Sequence, residues 1–443
     1  MKRFWLVLLL WGLFTAFNTS AFAVDVKFSG SYFAAGAYVD KLNVVKNQAH
    51  SEQSTAFYFQ KLQMTTEFVA APGLSLVTRA NIMERAWGAT RSGSNTTLDT
   101  GSSATRAENE NIGIDYAYMN YNSPIGVWLI GYQNDHFFGT TFGDSSTPAG
   151  KITYILPVGN FKILAAIVKV GENSYNAVNT ATTQTDADFN EYGVAGIYSG
   201  RNWEAGLLYL YYDNKTTRTT STLPNVSYKN KFQTLQPYAK AKFGPVAVQA
   251  EINYYFGRNE YDAPGSTDED ISSLAGFLDV LGTFGQFYIG ATFAYVQGDD
   301  DANDNKVHSI ANGGGGRDWK PALILWNEDY TYWIDASAAA TNKGNEMTNG
   351  FLYQLRGGVK PAEKLDIGLA VTYARADKNA VANQISKDIG WEIDVTGTYK
   401  ITDNLSYMLG VGYLIPGDSY KGATSSNDLD NTYMVLNKLT LTF

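Results

Sequence analysis

Beyond residue 24 the chain alternates apolar and polar side chains in runs of about ten residues, and each run stops at a turn. In 365–375, Leu365, Ile367, Leu369, Val371 and Tyr373 share one parity, against Asp366, Gly368, Ala370 and Thr372. In 390–401, Trp391, Ile393, Val395 and Tyr399 oppose Glu392, Asp394, Thr396, Thr398 and Lys400. A period of two is the mark of a strand with two unlike faces. The pattern predicts strands near 24–39, 56–70, 74–87, 111–122, 127–134, 151–157, 161–171, 189–199 and 203–213. It predicts nine more near 231–243, 246–257, 272–282, 286–297, 350–360, 365–375, 390–401, 405–415 and 432–443. Leu274–Val296 is apolar enough to resemble a spanning helix, but Gly276, Gly282, Gly285 and Gly290 suit a helix poorly, so two strands are expected there.

The connections alternate in length. Short turns such as Ala71-Pro72-Gly73, Gly244-Pro245 and Thr283-Phe284-Gly285 carry Pro and Gly, which set reversal geometry. Long loops at 40–55, 88–110, 135–150, 172–188, 214–230, 258–271, 298–349, 376–389 and 416–431 fall on the other side. This asymmetry predicts an all-β, transmembrane antiparallel barrel of about 18 strands, with short periplasmic turns and long extracellular loops. The last strand, Thr432 to Phe443, needs a partner, and pairing with 24–39 closes the sheet without an edge. Lys2, Arg3, the apolar run Phe4–Phe14 and Ala21-Phe22-Ala23 read as a signal peptide at 1–23, leaving 24–443 as one barrel domain.

Composition agrees with this organisation. Only 17% of the 443 residues are charged, while 30 Tyr and 23 Phe supply aromatics for two water–lipid boundaries. The net charge of −9 argues against a nucleic-acid partner. With no cysteine, disulfides and thiolate metal sites are excluded. His50, His136 and His308 are the only histidines, none beside a hydrolase motif, so no enzyme is expected.

The signal peptide, the alternation and a terminal strand ending LTLTF together resemble the Gram-negative outer-membrane porins. About eighteen strands is similar to the sugar-specific and alginate-export-like members. The resemblance implies passive diffusion of small hydrophilic solutes and ions through a water-filled pore in the cell outer membrane. It implies outer-membrane lipid and lipopolysaccharide as surroundings and a homotrimer as the assembly. It also implies that Phe443, with Tyr433, Leu439 and Leu441, is the signal that the barrel-assembly machinery reads. Two alternatives stay open: a substrate-specific channel for sugars or acidic saccharides, and a barrel scaffold around a partner protein.

In such porins the third long loop narrows the pore. Here that loop is 135–150, and the constriction candidates are Asp135 and Asp144 facing Lys61, Arg79 and Arg85, with Arg79 and Arg85 on one parity. Opposed charges across water create a transverse field that orients polar solutes. The alternative is that these are solvated acids and a wide basic wall. Lys240, Lys242, Glu251, Arg356, Lys360, Glu392 and Asp394 are expected to line the lumen, a mixture that favours weak selectivity. Loop 298–349 is expected to be extracellular, and its Asp299, Asp301 and Asn303 are either calcium ligands or a solvated acidic cluster. No other cofactor is implied. Trp319, Trp326 and Trp333 are either the core of a folded loop or a platform for sugar rings.

Overall fold

The computed structural model describes residues 24–88, 109–175, 186–219, 223, 226–299, 301, 304–309, 315–329, 346–379 and 383–443. The signal-peptide segment, Asn303 and Trp333 lie outside them.

The strands are β1 (Asp25–Val39), β2 (Thr55–Ala71), β3 (Leu74–Ala86), β4 (Asn109–Ser123), β5 (Gly126–Asp135) and β6 (Thr147–Val158). Next come β7 (Phe161–Gly171), β8 (Phe189–Ser199), β9 (Trp203–Asn214), β10 (Tyr228–Phe243), β11 (Val246–Tyr261), β12 (Glu269–Phe284) and β13 (Phe287–Val296). After the two-residue β14 (Lys306–Val307) follow β15 (Gly350–Ala362), β16 (Leu365–Ala376), β17 (Asp388–Lys400), β18 (Leu405–Pro416) and β19 (Thr432–Thr442). Setting aside β14, which lies parallel to β12 inside a loop, eighteen strands pair antiparallel with their chain neighbours.

The sheet closes where the alternation placed the seam. β19 pairs with β1 from Ser31 opposite Thr442 to Val39 opposite Met434. Beyond that ladder, Gly30 N–H donates to Phe443 O at 2.8 Å and Phe443 N–H to Gly30 O at 3.0 Å. Closure leaves the sheet without a free edge, the condition for strands in a low-dielectric solvent. At the short-turn side, Gly73 and Gly244 take φ of 80° and 58°, a region L side chains avoid. Leu274–Val296 forms β12 and β13, joined at Gly285. Among the described residues no helix is long and apolar enough to cross a membrane.

The two faces are as unlike as the parity predicts. Outward, Leu355, Ile289, Phe287, Ile167, Leu369 and Trp391 are exposed. A continuous apolar belt of this kind suits hydrocarbon and not water. Inward, Glu251, Asn253, Thr372 and Glu392 are buried. Thr372 and Glu392 are covered by chain segments that enter the barrel.

One parity assignment changes. Met83 adopts φ 52°, and the β2–β3 register shifts between Gln60 and Leu62. The bulge moves the following residues to the opposite face. Arg85 therefore pairs in register with Gln60, on the face where Tyr58 stacks on Trp87 and Trp87 Nε1 donates to Gln60. It does not share the lumen face with Arg79.

Candidate functional site

Two loop segments enter the lumen, the first held by Glu251 and the second by Glu392 with Asp394. The first is 135–150. β5 ends at Asp135, and His136 takes φ 53°, turning the chain off the wall. Thr140 then reaches Glu251 on β11, donating from its backbone N–H at 2.7 Å and from Oγ1 at 2.8 Å. Gln236 and Asn253 complete the shell of Glu251 at 3.0 and 3.1 Å, and Gln236 also donates to Phe138 O at 2.7 Å. A side chain at Gly143 would collide with Glu251, so glycine is what lets the backbone approach. A 3-10 turn, Thr141–Gly143, places fully buried Phe142 parallel to Phe277 at 5.2 Å and edge-on to Trp319 at 5.1 Å.

The second segment is 315–329. The expectation that loop 298–349 stands outside the barrel is corrected for this part: it folds inward because its apolar run finds an apolar wall. Ile324 and Leu325 N–H groups both donate to Glu392 on β17, each at 2.7 Å, and Leu323 N–H donates to Asp394 at 3.3 Å. Gln354 donates to Pro321 O at 2.6 Å. Ile324, Leu325 and Trp326 pack with Val39, Leu352, Leu414 and Met434. Trp319 and Trp326 thus belong to a folded core. The two inserts also bond to each other, through Asp318 N–H to Asp144 O at 3.0 Å and Ser146 N–H to Asp318 at 3.0 Å.

The predicted constriction residues are all in the structure, but they are not one set of opposed charges. Lys61 pairs with Glu84 at 3.3 Å. Arg79 pairs with Asp115 at 2.5 Å and lies over the Tyr116 ring at 3.4 Å. Asp135 pairs with Lys151 at 2.6 Å. Each charge has a neighbour on its own wall or at the loop root, because a nearby counter-ion in a confined lumen outweighs a distant one. Asp144 accepts from Phe138 N–H at 2.9 Å. Burial pushes its carboxyl up to about 7, against that hydrogen bond and with help from Glu251 and Asp318.

The other lumen candidates divide into two groups. Glu251, Glu392 and Asp394 hold the inserts. Arg356 grips Asp279 through two contacts of 2.7 and 2.9 Å, with Thr292 beside it. Lys240 lies opposite Glu204 and Gln249 in register, and over the Tyr238 ring at 5.4 Å. Lys242 is in register with Ala247. Lys360, near the short-turn end, faces Asp366 at 3.5 Å. In the acidic cluster, Asp299 accepts from the N–H groups of Asp301 and His308 at 3.2 and 2.9 Å. Tyr433, Leu441 and Phe443 are exposed on the outer face and Leu439 is half-buried.

Sequence reasoning missed Glu84, Asp115, Asp279, Gln236, Asn253 and Glu191. All six belong to strands; Glu84 and Asp115 sit on the strand next to the base they neutralise, and Asp279 on β12 reaches Arg356 on β15 across β13. The available signal was strand pairing combined with parity.

Beside the first insert lies a cavity of about 610 Å³. Phe138, Phe189, Tyr212, Phe232 and Tyr255 give it aromatic walls, while Asn214, Asn259, Gln236 and Arg317 supply polar groups. Tyr212 and Phe232 stack at 4.2 Å.

No protein-family model matches the chain, and no curated protein matches it. Solved structures do. A BenF-like porin from Pseudomonas fluorescens Pf-5 aligns with TM-score 0.54 at 9% identity, over 95% of this chain and 99% of that one. Pseudomonas aeruginosa OccK9 (OpdG) aligns with TM-score 0.54 at 12% identity, over 95% and 99%. OccK11 (OpdR) of the same organism aligns with TM-score 0.50 at 10% identity, over 94% and 96%. The chain therefore has the porin fold, an eighteen-stranded closed antiparallel barrel.

Proposed function

We propose that this protein is an outer-membrane channel carrying small hydrophilic solutes and ions by passive diffusion, through a lumen narrowed by 135–150. The observation that carries the reading is the docking of Thr140 on Glu251, which takes a loop from between β5 and β6 across to β11. Mixed lumen charges, with Arg356–Asp279 and Arg79–Asp115 as fixed pairs, suit a hydrated path without a single-sign filter. The apolar outer belt supports an outer-membrane location, and the exposed Tyr433, Leu441 and Phe443 support the terminal strand as an assembly signal. Inserts docked inside the lumen speak against a sheath around a partner protein.

The aromatic cavity favours a second reading, a channel selective for ring-shaped solutes such as sugars or acidic saccharides. Aromatic faces stack on rings while amides and Arg317 orient hydroxyl or carboxylate groups. Single-channel conductance of the refolded protein in planar bilayers separates these readings. Ohmic current that sugars leave unchanged is expected of the general pore. Block by a sugar or acidic saccharide selects the second reading. Folded protein that passes no current overturns both.

A further inference from the structure

The root of the first insert carries a constellation that docking does not use. Asp135 closes β5, His136 follows it, and Glu191 projects inward from β8. One donor atom from each lies within 4.8 Å of the other two. His136 Nε2 is 2.9 Å from Glu191 Oε1 and 3.6 Å from Asp135 Oδ2. Lys151 Nζ binds the other Asp135 oxygen, Oδ1, at 2.6 Å.

Two further observations separate this group from a solvated acidic patch. Asp135 and Glu191 are 5% and 0% exposed, so both carboxylates have lost their water. Asp135 Oδ2 and Glu191 Oε2 are buried and have no hydrogen-bond partner. An unpartnered buried carboxylate oxygen is costly, and two beside one imidazole define a place for a cation.

We propose that Asp135, His136 and Glu191 bind a divalent transition-metal ion of the zinc class. One imidazole nitrogen with two carboxylates is a borderline donor set, which suits zinc better than calcium or magnesium, whose sites are built from oxygen alone. Zinc holds such donors at about 2.0–2.2 Å, which separates ligand atoms by roughly 3.4 Å in a tetrahedron. The 3.6 Å pair already has that spacing, and the 2.9 Å pair opens slightly as the metal replaces its hydrogen bond. Lys151 on Asp135 Oδ1 fixes the carboxylate and leaves Oδ2 for the ion, the role an outer-shell partner plays in metal sites. His136 also lines the 610 Å³ cavity, so the site adjoins it. Because His136 is the residue at which 135–150 leaves the wall, a bound metal ties the insert to β8. The site does not depend on which solute the channel carries.

The rival is a metal-free network in which Lys151 and a protonated His136 balance the two acids. The test uses the untagged full-length mature chain, refolded in detergent, stripped with chelator and dialysed against zinc. Bound zinc of one per chain is expected, with a rise in thermal midpoint on zinc addition. His136→Ala and Glu191→Gln, each checked for folding by heat-dependent gel mobility, are expected to weaken zinc binding by about 10–100-fold and to abolish the thermal shift. Cobalt is expected to give a visible spectrum with wild type that both variants lose. Folded wild type that binds no zinc, or folded variants that bind it as tightly as wild type, overturns the proposal. Calcium binding that displaces zinc at equal concentration overturns the assigned metal class.

Discussion

The two inserts share a clamp and differ in how much apolar packing surrounds it. In both, an inward carboxylate on a barrel strand accepts backbone N–H groups of a loop. Glu251 receives Thr140, and Glu392 receives Ile324 and Leu325. Around Glu251 the contacts are polar, from Gln236 and Asn253, with the 610 Å³ cavity alongside. Around Glu392 they are apolar, with Ile324, Leu325 and Trp326 in a core that includes residues of β1, β15, β18 and β19. Hydrogen bonds to a charged group hold a loop only while the geometry lasts, whereas buried apolar area holds it regardless of small shifts. The second insert therefore supplies the larger share of the folded core, and the first, which enters that core through Phe142 alone among its described residues, is the more weakly held of the two.

The largest effect is expected from the apolar insert. Trp326→Ala removes a fully buried indole, which costs about 3–5 kcal/mol in a well-packed core. The thermal midpoint should fall and the conductance rise together. A variant with unchanged midpoint would show that 315–329 is not core.

The clamps themselves come next. Glu251→Ala leaves Thr140 without an acceptor, and hydrogen bonds to charged groups contribute about 1.5–3 kcal/mol each. Undocking of 135–150 should raise conductance and noise, with a fall in midpoint smaller than that of Trp326→Ala because Phe142 is the one residue of this insert in the core. Glu392→Ala should do the opposite, lowering the midpoint while the apolar contacts keep the insert in place and conductance nearly constant. The reverse outcome would invert the assignment of core and docked loop.

A smaller effect separates the arginines of β3. Arg79→Ala exposes Asp115 to the lumen and should shift ion selectivity toward cations by reversal potential in a salt gradient. Arg85→Ala should leave selectivity unchanged, because the bulge at Met83 puts Arg85 on the other face. Equal shifts would contradict that register.

These contrasts show what alternation can reveal. It yielded eighteen strands, their outer faces and the closing pair, because parity is a local property of each run. It failed at Arg85, where one extra residue resets the parity and leaves no mark in the hydrophobic pattern. It placed Glu251 and Glu392 inward yet said nothing of their loop ligands, which donate through backbone N–H groups that every sequence has. The apolar run at 319–326 was visible, but its destination depends on an apolar patch assembled from strands far apart in the chain. Partners such as Asp115 for Arg79 needed register as well as parity.

The smallest effect is a pH dependence at the docked segment. Asp144 sits in the first insert, where burial raises its carboxyl to about 7 from an ordinary value of 3.8. Undocked and hydrated, the same carboxyl returns toward the ordinary value. An acid with a raised pKa holds its proton more tightly in the docked state, so docking is favoured most below the undocked pKa. That advantage is lost as pH rises from about 4 to about 7, and it changes no further above 7. Conductance should therefore be lowest and quietest at acid pH and climb through this window. Asp144→Asn, which stays neutral, should flatten the dependence at the low-conductance end. With Asp144→Asn in place, any remaining slope over the same window belongs to other groups, and a slope as steep as wild type would remove Asp144 from the account of docking.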